Sequence, residues 1–296
     1  MCIDWANNMN VISAAFIILH YQSIDETKNC IESILSMNHS ENLGIVVIDN
    51  ASPNGTGQDL YEKYLNFPNI VVYLNSENSG FSKANNLGCR IARDKWNPQF
   101  YIVTNNDIVF TQKNFISLIS EKYDKYHFYI LGPDILNIRQ NVHQSPISKK
   151  APTVNSSKKT IVLNYLVLKI YPIAYPLMKI WFKRLYSNAK DKSGYDIEQQ
   201  DVCLQGACLI FSNDYINERG TAFYPETFFF AEEAIFTYWC EQNNKKTVYS
   251  PDLKVLHNES AATLSDKDMY RRIKFQMQNI LDSTLIYLKS RKVNNR

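Results

Sequence analysis

Asp107 closes the run Tyr101-Ile102-Val103-Thr104-Asn105-Asn106-Asp107, and its surroundings give that carboxylate a chemistry. Tyr-Ile-Val has the apolar, β-branched character of a buried strand, whereas Thr-Asn-Asn-Asp are turn formers. The pattern places Asp107 at the carboxyl end of a central strand, where open α/β sheets bind ligands. A carboxylate there can hold a divalent cation through hard oxygen contacts, and the cation can grip phosphates. The plainer alternative is a turn aspartate that only hydrogen-bonds backbone. A second acidic feature is Glu232-Glu233, preceded by Tyr224-Pro225-Glu226-Thr227-Phe228-Phe229-Phe230. Adjacent acids suit the first turn of a helix, and the rigid aromatic lead-in suits a shaped pocket.

The elements that must position these residues can be read upstream. Val11 to Leu19 is nearly continuous in apolar residues, as expected of a strand covered on both faces. It runs into the loop His20-Tyr21-Gln22-Ser23, then a helix from Asp25 to Met37 whose apolar face is Cys30, Ile31, Ile34 and Leu35. A strand from Ile45 to Ile48 ends in Asp49-Asn50-Ala51-Ser52-Pro53-Asn54-Gly55, a stretch dense in turn residues. A helix carrying Leu60, Tyr61, Tyr64 and Leu65 follows, then a strand from Ile70 to Leu74. Asn78 to Gly88 starts as a loop and enters a helix reaching about Arg93. Right-handed crossovers put all these loops on one rim of a parallel sheet. Asp49, the Asn78–Asn86 stretch and Asp107 then line one crevice, a place for a nucleotide.

The totals narrow the field. A chain of 296 residues is one large domain or two small ones, and 45% hydrophobic with 21% charged residues is ordinary for a soluble globular protein. A net charge of +3 without a Lys/Arg stripe argues against nucleic acid. Six cysteines (Cys2, Cys30, Cys89, Cys203, Cys208, Cys240) form no Cys-x-x-Cys pair and have no zinc-like spacing, which suits reduced thiols in a cytoplasmic protein. The opening MCIDWANNMN has no apolar leader core, and no run of ~18 apolar residues predicts a membrane-spanning helix.

Six motifs in order carry a resemblance: VVIDNAS (46–52), NSGFSKANNLG (78–88), TNNDIVF (104–110), QGACLIFS (205–212), FFFAEE (228–233) and VLHNESA (255–261). Together with the first strand and its loop, they resemble a family 2 glycosyltransferase of the GT-A fold, closest to its rhamnosyltransferase-like, polysaccharide-biosynthesis branch. The resemblance implies an α/β fold, a mostly parallel Rossmann-like sheet flanked by helices, with an acceptor-side helical and loop region toward the C-terminus. It divides the chain into a nucleotide-sugar half (1–142), a variable basic and apolar insertion (143–200) and an acceptor and catalytic part (201–296).

By position, the resemblance implies that Asp49 reads the base of a nucleotide donor. It sets His20, Tyr21, Asn78, Gly80, Lys83, Asn86 and Asn106 against that donor, although Gly80 reads equally as a helix-start turn. Asn105-Asn106-Asp107 stands where such enzymes carry an Asp-x-Asp-like motif, so Asp107 is the principal ligand for Mn²⁺ or Mg²⁺. His257 would complete the metal or diphosphate site, or be a satisfied structural histidine. Glu233 takes the place of the usual aspartate base, with Glu232 as its substitute.

The activity implied is an inverting, metal-dependent transfer of rhamnose or a hexose from a dTDP- or UDP-linked donor. The acceptor would be a saccharide or lipid-linked oligosaccharide in cell-surface polysaccharide synthesis, handled in the cytoplasm or at the inner membrane face. A catalytically inactive nucleotide-sugar-binding or scaffold subunit is the alternative, because the metal motif is rich in amides. A sugar nucleotidyltransferase would need a Gly-rich, basic loop after the first strand, where this chain has LHYQSID.

Between the halves, SPISKKAPTVNSSKK reads as an exposed linker. TIVLNYLVLKIYPIAYPLMKIWFKRLY follows, apolar, basic and free of acids, and interrupted by Pro172 and Pro176. It reads either as an interfacial helix, giving peripheral membrane association, or as a lid over the acceptor side. Asp266 to Lys292 reads as a basic helix, and Asp134 as a strand-end turn.

Overall fold

The computed structural model describes residues 12–259 and 266–293; Cys2, Val11, Ser260 and Ala261 lie outside them. The described chain folds around one ten-stranded sheet. Four strands open it: β1 (Ala14–His20), β2 (Leu43–Asp49), β3 (Ile70–Leu74) and β4 (Phe100–Asn105). The next three are β5 (Ile108–Phe110), β6 (Ile130–Asn137) and β7 (Val142–His143), and the last three are β8 (Gln199–Gln200), β9 (Cys208–Ser212) and β10 (Thr247–His257). The spatial order is β3-β2-β1-β4-β9-β6-β10-β5, with β7 on β6 and β8 on β10. β1 to β4 are mutually parallel, and β9 is wedged antiparallel between β4 and β6. β10 runs parallel to β6, so six of the eight strands in that order point the same way. Their carboxyl ends form the rim that the sequence anticipates.

The helices of the first half are α1 (Ile24–Leu35), α2 (Thr56–Tyr64), α3 (Gly80–Trp96) and α4 (Phe115–Tyr126). The others are α5 (Val154–Lys169), α6 (Tyr171–Ser187), α7 (Asn213–Arg219), α8 (Glu232–Gln242) and α9 (Asp266–Val293). Alternation along β1 explains its unbroken apolar run. Ala14, Phe16 and Ile18 pack with Cys30, Ile31 and Ile34 of α1 on one face. Ala15 and Ile17 pack with Ala84, Cys89 and Ala92 of α3 on the other. Both faces are covered, so the strand is apolar from Ala14 to Leu19, and its one polar side chain, His20 at the carboxyl end, is buried with hydrogen-bond partners.

Three expectations are corrected. The stretch read as an exposed linker is fastened to the fold: Ser145 is fully buried, the Ile147 amide donates to the Cys203 carbonyl, and Ser148 bridges to Cys203. Its second half is the start of α5, where the Thr153 hydroxyl caps the Ser156 amide. The apolar segment after it forms two helices meeting at Ile170, where Pro172 ends the run and starts α6, but Pro176 lies inside α6 and does not interrupt it. Asp134 lies within β6, buried and paired with His143 Nδ1 at 2.8 Å, so it is not a strand-end turn.

Candidate active site

β1 and β2 end in register, which stands His20 level with Asp49 at the rim. Asp49 is almost fully buried, and its carboxylate accepts the Ser52 amide at 3.2 Å. His20 does not face the crevice. It is completely buried, with Nδ1 on the Thr27 hydroxyl at 2.7 Å and Nε2 on Thr56 at 3.0 Å. Burial lowers its pKa while Asp49, 4.0 Å away, opposes the shift. Its place is behind Asp49, bracing the starts of α1 and α2.

The Asn78 to Asn86 stretch is likewise more architecture than contact surface. Asn50 is its hub: its side-chain oxygen accepts the Ser79 amide at 2.9 Å and the Asn75 side chain at 3.2 Å, and its amide donates to Asn78 Oδ1 at 2.9 Å. Asn78 Oδ1 also accepts the Gly80 amide at 3.0 Å. Gly80 has φ +80°, and a Cβ there would lie 2.6 Å from the Phe228 ring. Glycine is required by the helix-start turn and by the approach of the 228 loop. Asn86 grips the Phe223 backbone at both ends, donating to its carbonyl and accepting its amide, each at 2.9 Å. Asn106 donates to Thr27 Oγ1 at 3.0 Å and so ties its turn to α1. Of the residues expected against a donor, Tyr21, Asn78 and Lys83 are exposed, Asn78 with its Oδ1 already engaged by Asn50 and Gly80.

Asp107 and Asn106 form the two-residue turn from β4 to β5, and β5 pairs antiparallel with the end of β10. That pairing carries His257 to the same point: its Nε2 is 3.3 Å from Asp107 Oδ1. His257 Nδ1 meets Gln144 Oε1 at 2.7 Å, and an amide oxygen can only accept, so the Nδ1 proton is fixed there. In the neutral imidazole Nε2 then presents its lone pair toward a carboxylate oxygen that is buried and has no hydrogen-bond partner. Two unsatisfied lone pairs this close fit a cation, since adjacent ligands of an octahedral Mg²⁺ shell stand about 3 Å apart. The Gln144 contact is the outer-shell support that metal-binding histidines have. Among the described residues no cluster of three or more His, Cys, Asp or Glu side chains could hold a metal. Asp107 and His257 supply two ligands at most.

The paired acids begin α8. Phe230 (φ 72°) and Ala231 (φ 64°) are both left-handed, each a costly state for a residue with a side chain. They persist because the loop is pinned: Phe81 donates its amide to the Phe228 carbonyl at 2.7 Å, and the Ser283 hydroxyl of α9 donates to the Phe229 carbonyl at 2.8 Å. The bend turns the glutamates inward on opposite flanks. Glu232 is buried and accepts the Ser82 hydroxyl at 3.3 Å, while Ser82 and Thr227 share a 2.7 Å bond. Glu233 keeps partial exposure and lies against Gly206, where a Cβ would fall 2.4 Å from its Oε1. Gly206 adjoins Ala207, whose carbonyl accepts the Asn105 amide at the end of β4. Glu233 therefore belongs to the same rim as Asp107. Burial raises both pKa values, and for Glu232 the neighbouring Glu233 charge adds to it. The backbone amides of Gly206 and Glu233 oppose the rise at Glu233. The pair is set up to hold a proton near neutral pH.

Asn50, Gly206 and Gln144 are the residues that sequence reasoning missed. Asn50 and Gly206 lie within quoted motifs, but nothing local marks them as a hub or a carboxylate rest. Gln144 meets His257 across 113 positions and had no signal.

Comparison with known structures agrees with this architecture. S. aureus TarS 1-349 superposes with a TM-score of 0.53 at 16% identity, covering 93% of this chain and 71% of that one. The same protein in complex with UDP gives 0.53 at 17% identity, covering 92% and 70%. GalNAc-T7 with UDP, GalNAc and Mn²⁺ gives 0.54 at 13% identity, covering 84% and 44%. At such identities the likeness establishes the GT-A fold. No curated protein matches the chain. Residues 15–187, more than half of the chain, match the model for glycosyl transferase family 2. The chain belongs to glycosyl transferase family 2.

Proposed function

We propose that the chain is an inverting, metal-assisted glycosyltransferase that uses a nucleotide-diphospho-sugar. The carrying observation is the Asp107–His257 pair, whose unsatisfied lone pairs share the rim with a partly exposed Glu233 whose pKa burial raises. Asp49 would read the base, with Tyr21 and Lys83 at the crevice edge. Asp107 and His257 would hold a divalent cation, Mn²⁺ or Mg²⁺, which when bound stabilises the departing diphosphate as a Lewis acid. Glu233 takes the proton from an acceptor hydroxyl as that oxygen bonds to the anomeric carbon from the face opposite the leaving group. The nucleoside diphosphate departs with the bonding pair, so configuration inverts. Complexes of two fold neighbours with UDP favour a UDP-linked sugar. The sequence motifs leave dTDP-rhamnose as the second donor, and a saccharide or lipid-linked acceptor in polysaccharide synthesis as the other substrate.

The test is thermal shift with UDP, dTDP and their sugars, with and without Mn²⁺, followed by transfer assays. A ligand that binds the native state raises Tm by mass action. The expected result is a metal-dependent shift with one nucleotide, lost in Asp107→Ala. Glu233→Gln should keep the shift and lose turnover by about 10²–10⁴-fold, the usual worth of a positioned base. A shift without transfer by the native protein would favour the inactive scaffold. No shift with any nucleotide would overturn both readings.

A further inference from the structure

Residues 135–190 contain ten Lys and Arg and no Asp or Glu, so against a chain total of +3 the remainder nets −7. This asymmetry coincides with the most exposed apolar side chains among the described residues. One side of α6 packs on α9: Tyr171, Tyr175, Met178 and Phe182 meet Met269, Tyr270, Ile273 and Met277. The Tyr171 hydroxyl fixes the contact by donating to the Tyr270 carbonyl at 2.9 Å. The other side is also apolar and faces outward. Ile173 is 80% exposed, Leu177 74%, Trp181 52% and Ile180 51%. Ile173, Leu177, Ile180 and Arg184 recur at helical spacing as one stripe. Val162, Leu163 and Leu166 of α5 are more than half exposed too. Lys169, Lys183 and Arg184 stand exposed around this surface.

We infer that the outer face of α5 and α6 docks on an anionic lipid bilayer. An apolar surface of this extent on a folded chain marks an interaction site, and the charge selects among occupants. A closed dimer through this face would be isologous, setting each copy's acid-free, +10 segment against its partner's. A water-soluble polyanion would match the charge but leave Ile173 and Leu177 in water. A bilayer surface satisfies both, taking Ile173, Leu177 and Ile180 into the acyl boundary and Trp181 at headgroup depth, with Lys and Arg against lipid phosphates. No helix among the described residues is long and apolar enough to cross a membrane, so the docking is peripheral. α9 connects the platform to the base-bearing helix, since Tyr287 packs edge-on to Tyr238 of α8 and Ser283 holds the Phe229 carbonyl. Docking would bring a lipid-linked acceptor to that side; this last step alone rests on the proposed transferase reading.

The test is co-sedimentation with phosphatidylcholine vesicles, with and without phosphatidylglycerol, at low and high salt. Binding is expected to the anionic vesicles and to weaken with salt. Ile173→Ser with Leu177→Ser should weaken partition by at least about tenfold, and Lys183→Gln with Arg184→Gln roughly 30-fold. These side chains are exposed, so circular dichroism and Tm should be unchanged. Absence of binding to anionic vesicles, or full binding by the Ile173→Ser, Leu177→Ser variant, would overturn the inference. A dimer that this variant disperses, without vesicle binding, would give the face to a second copy. Nucleotide thermal shift on the same preparation is independent, so failure of the transferase reading would leave vesicle binding standing.

Discussion

At the scale of residues, the two acids of α8 are separable because their surroundings differ. Glu232 is buried on the Ser82–Thr227 side, with its pKa raised to about 8, first by loss of solvent and then by the Glu233 charge. An acid whose folded pKa lies above its unfolded value stabilises fully below the unfolded pKa, and that contribution is lost as pH rises through the folded one. Wild-type Tm should therefore decline between the ordinary carboxylate range, about pH 4.3, and about pH 8. Glu232→Gln, neutral at every pH, should flatten that decline in a pH series of melting curves; an unchanged slope would place the titration elsewhere. Transfer should behave differently. If Glu233 is the base, kcat/KM should rise with pH at a midpoint above the ordinary carboxylate range, since burial raises its pKa. A profile flat from mildly acidic pH upward would mean that Glu233 titrates as an ordinary surface acid. Glu232→Gln should keep most of the turnover that Glu233→Gln loses.

At the scale of elements, α8, which carries the proposed base, is held in place from α3. Asn86 on α3 clamps Phe223, nine residues before Glu232, and the Gly80–Phe228 contact closes the same loop against the start of α3. Asn86→Ala would leave the buried Phe223 amide and carbonyl without partners, at a cost of about 1–3 kcal/mol for each unsatisfied group. We expect a lower Tm and a lower kcat, with nucleotide binding affected less, because the clamp positions α8 and does not touch the Asp49 pocket. Binding lost in step with kcat would show that the clamp serves the donor crevice as well. These contacts explain what could be read in advance. The strands β1, β2 and β4 were legible because burial on both faces writes itself as continuous apolar runs, β3 by its β-branched residues although it lies at the sheet edge, and Asp49 and Asp107 because turn formers follow such runs. Asn86 was legible only as a motif member; its actual partner lies 137 positions away. The segment before α5 misled because its backbone at Ile147 and Ser148 is bonded to Cys203, which composition cannot show.

At the scale of the whole molecule, β9 decides how the parts behave. It comes from the C-terminal part of the chain yet lies between β4 and β6, pairing Phe100 to Thr104 on one side and Ile130 and Leu131 on the other. Its own side chains feed both cores, Cys208 and Ile210 on one face and Leu209 and Phe211 on the other. Strands β1 to β4 thus have no complete sheet until the C-terminal part has folded, and neither core closes alone. Unfolding should be a single transition despite a length at which intermediates become common. Two tryptophans report on the two parts: Trp96 ends α3 against Gly44 of β2, and Trp239 sits in α8 among Tyr129, Tyr215 and the Arg219 guanidinium. Variants keeping only Trp96 or only Trp239 should give coincident urea midpoints by fluorescence. Midpoints separated beyond error would mean that β9 can leave the sheet while β1 to β4 persist. In that case residues 1–142 would be a unit able to stand apart, and the alignment of Asp107 with Glu233 would depend on a docking step and not on one continuous sheet.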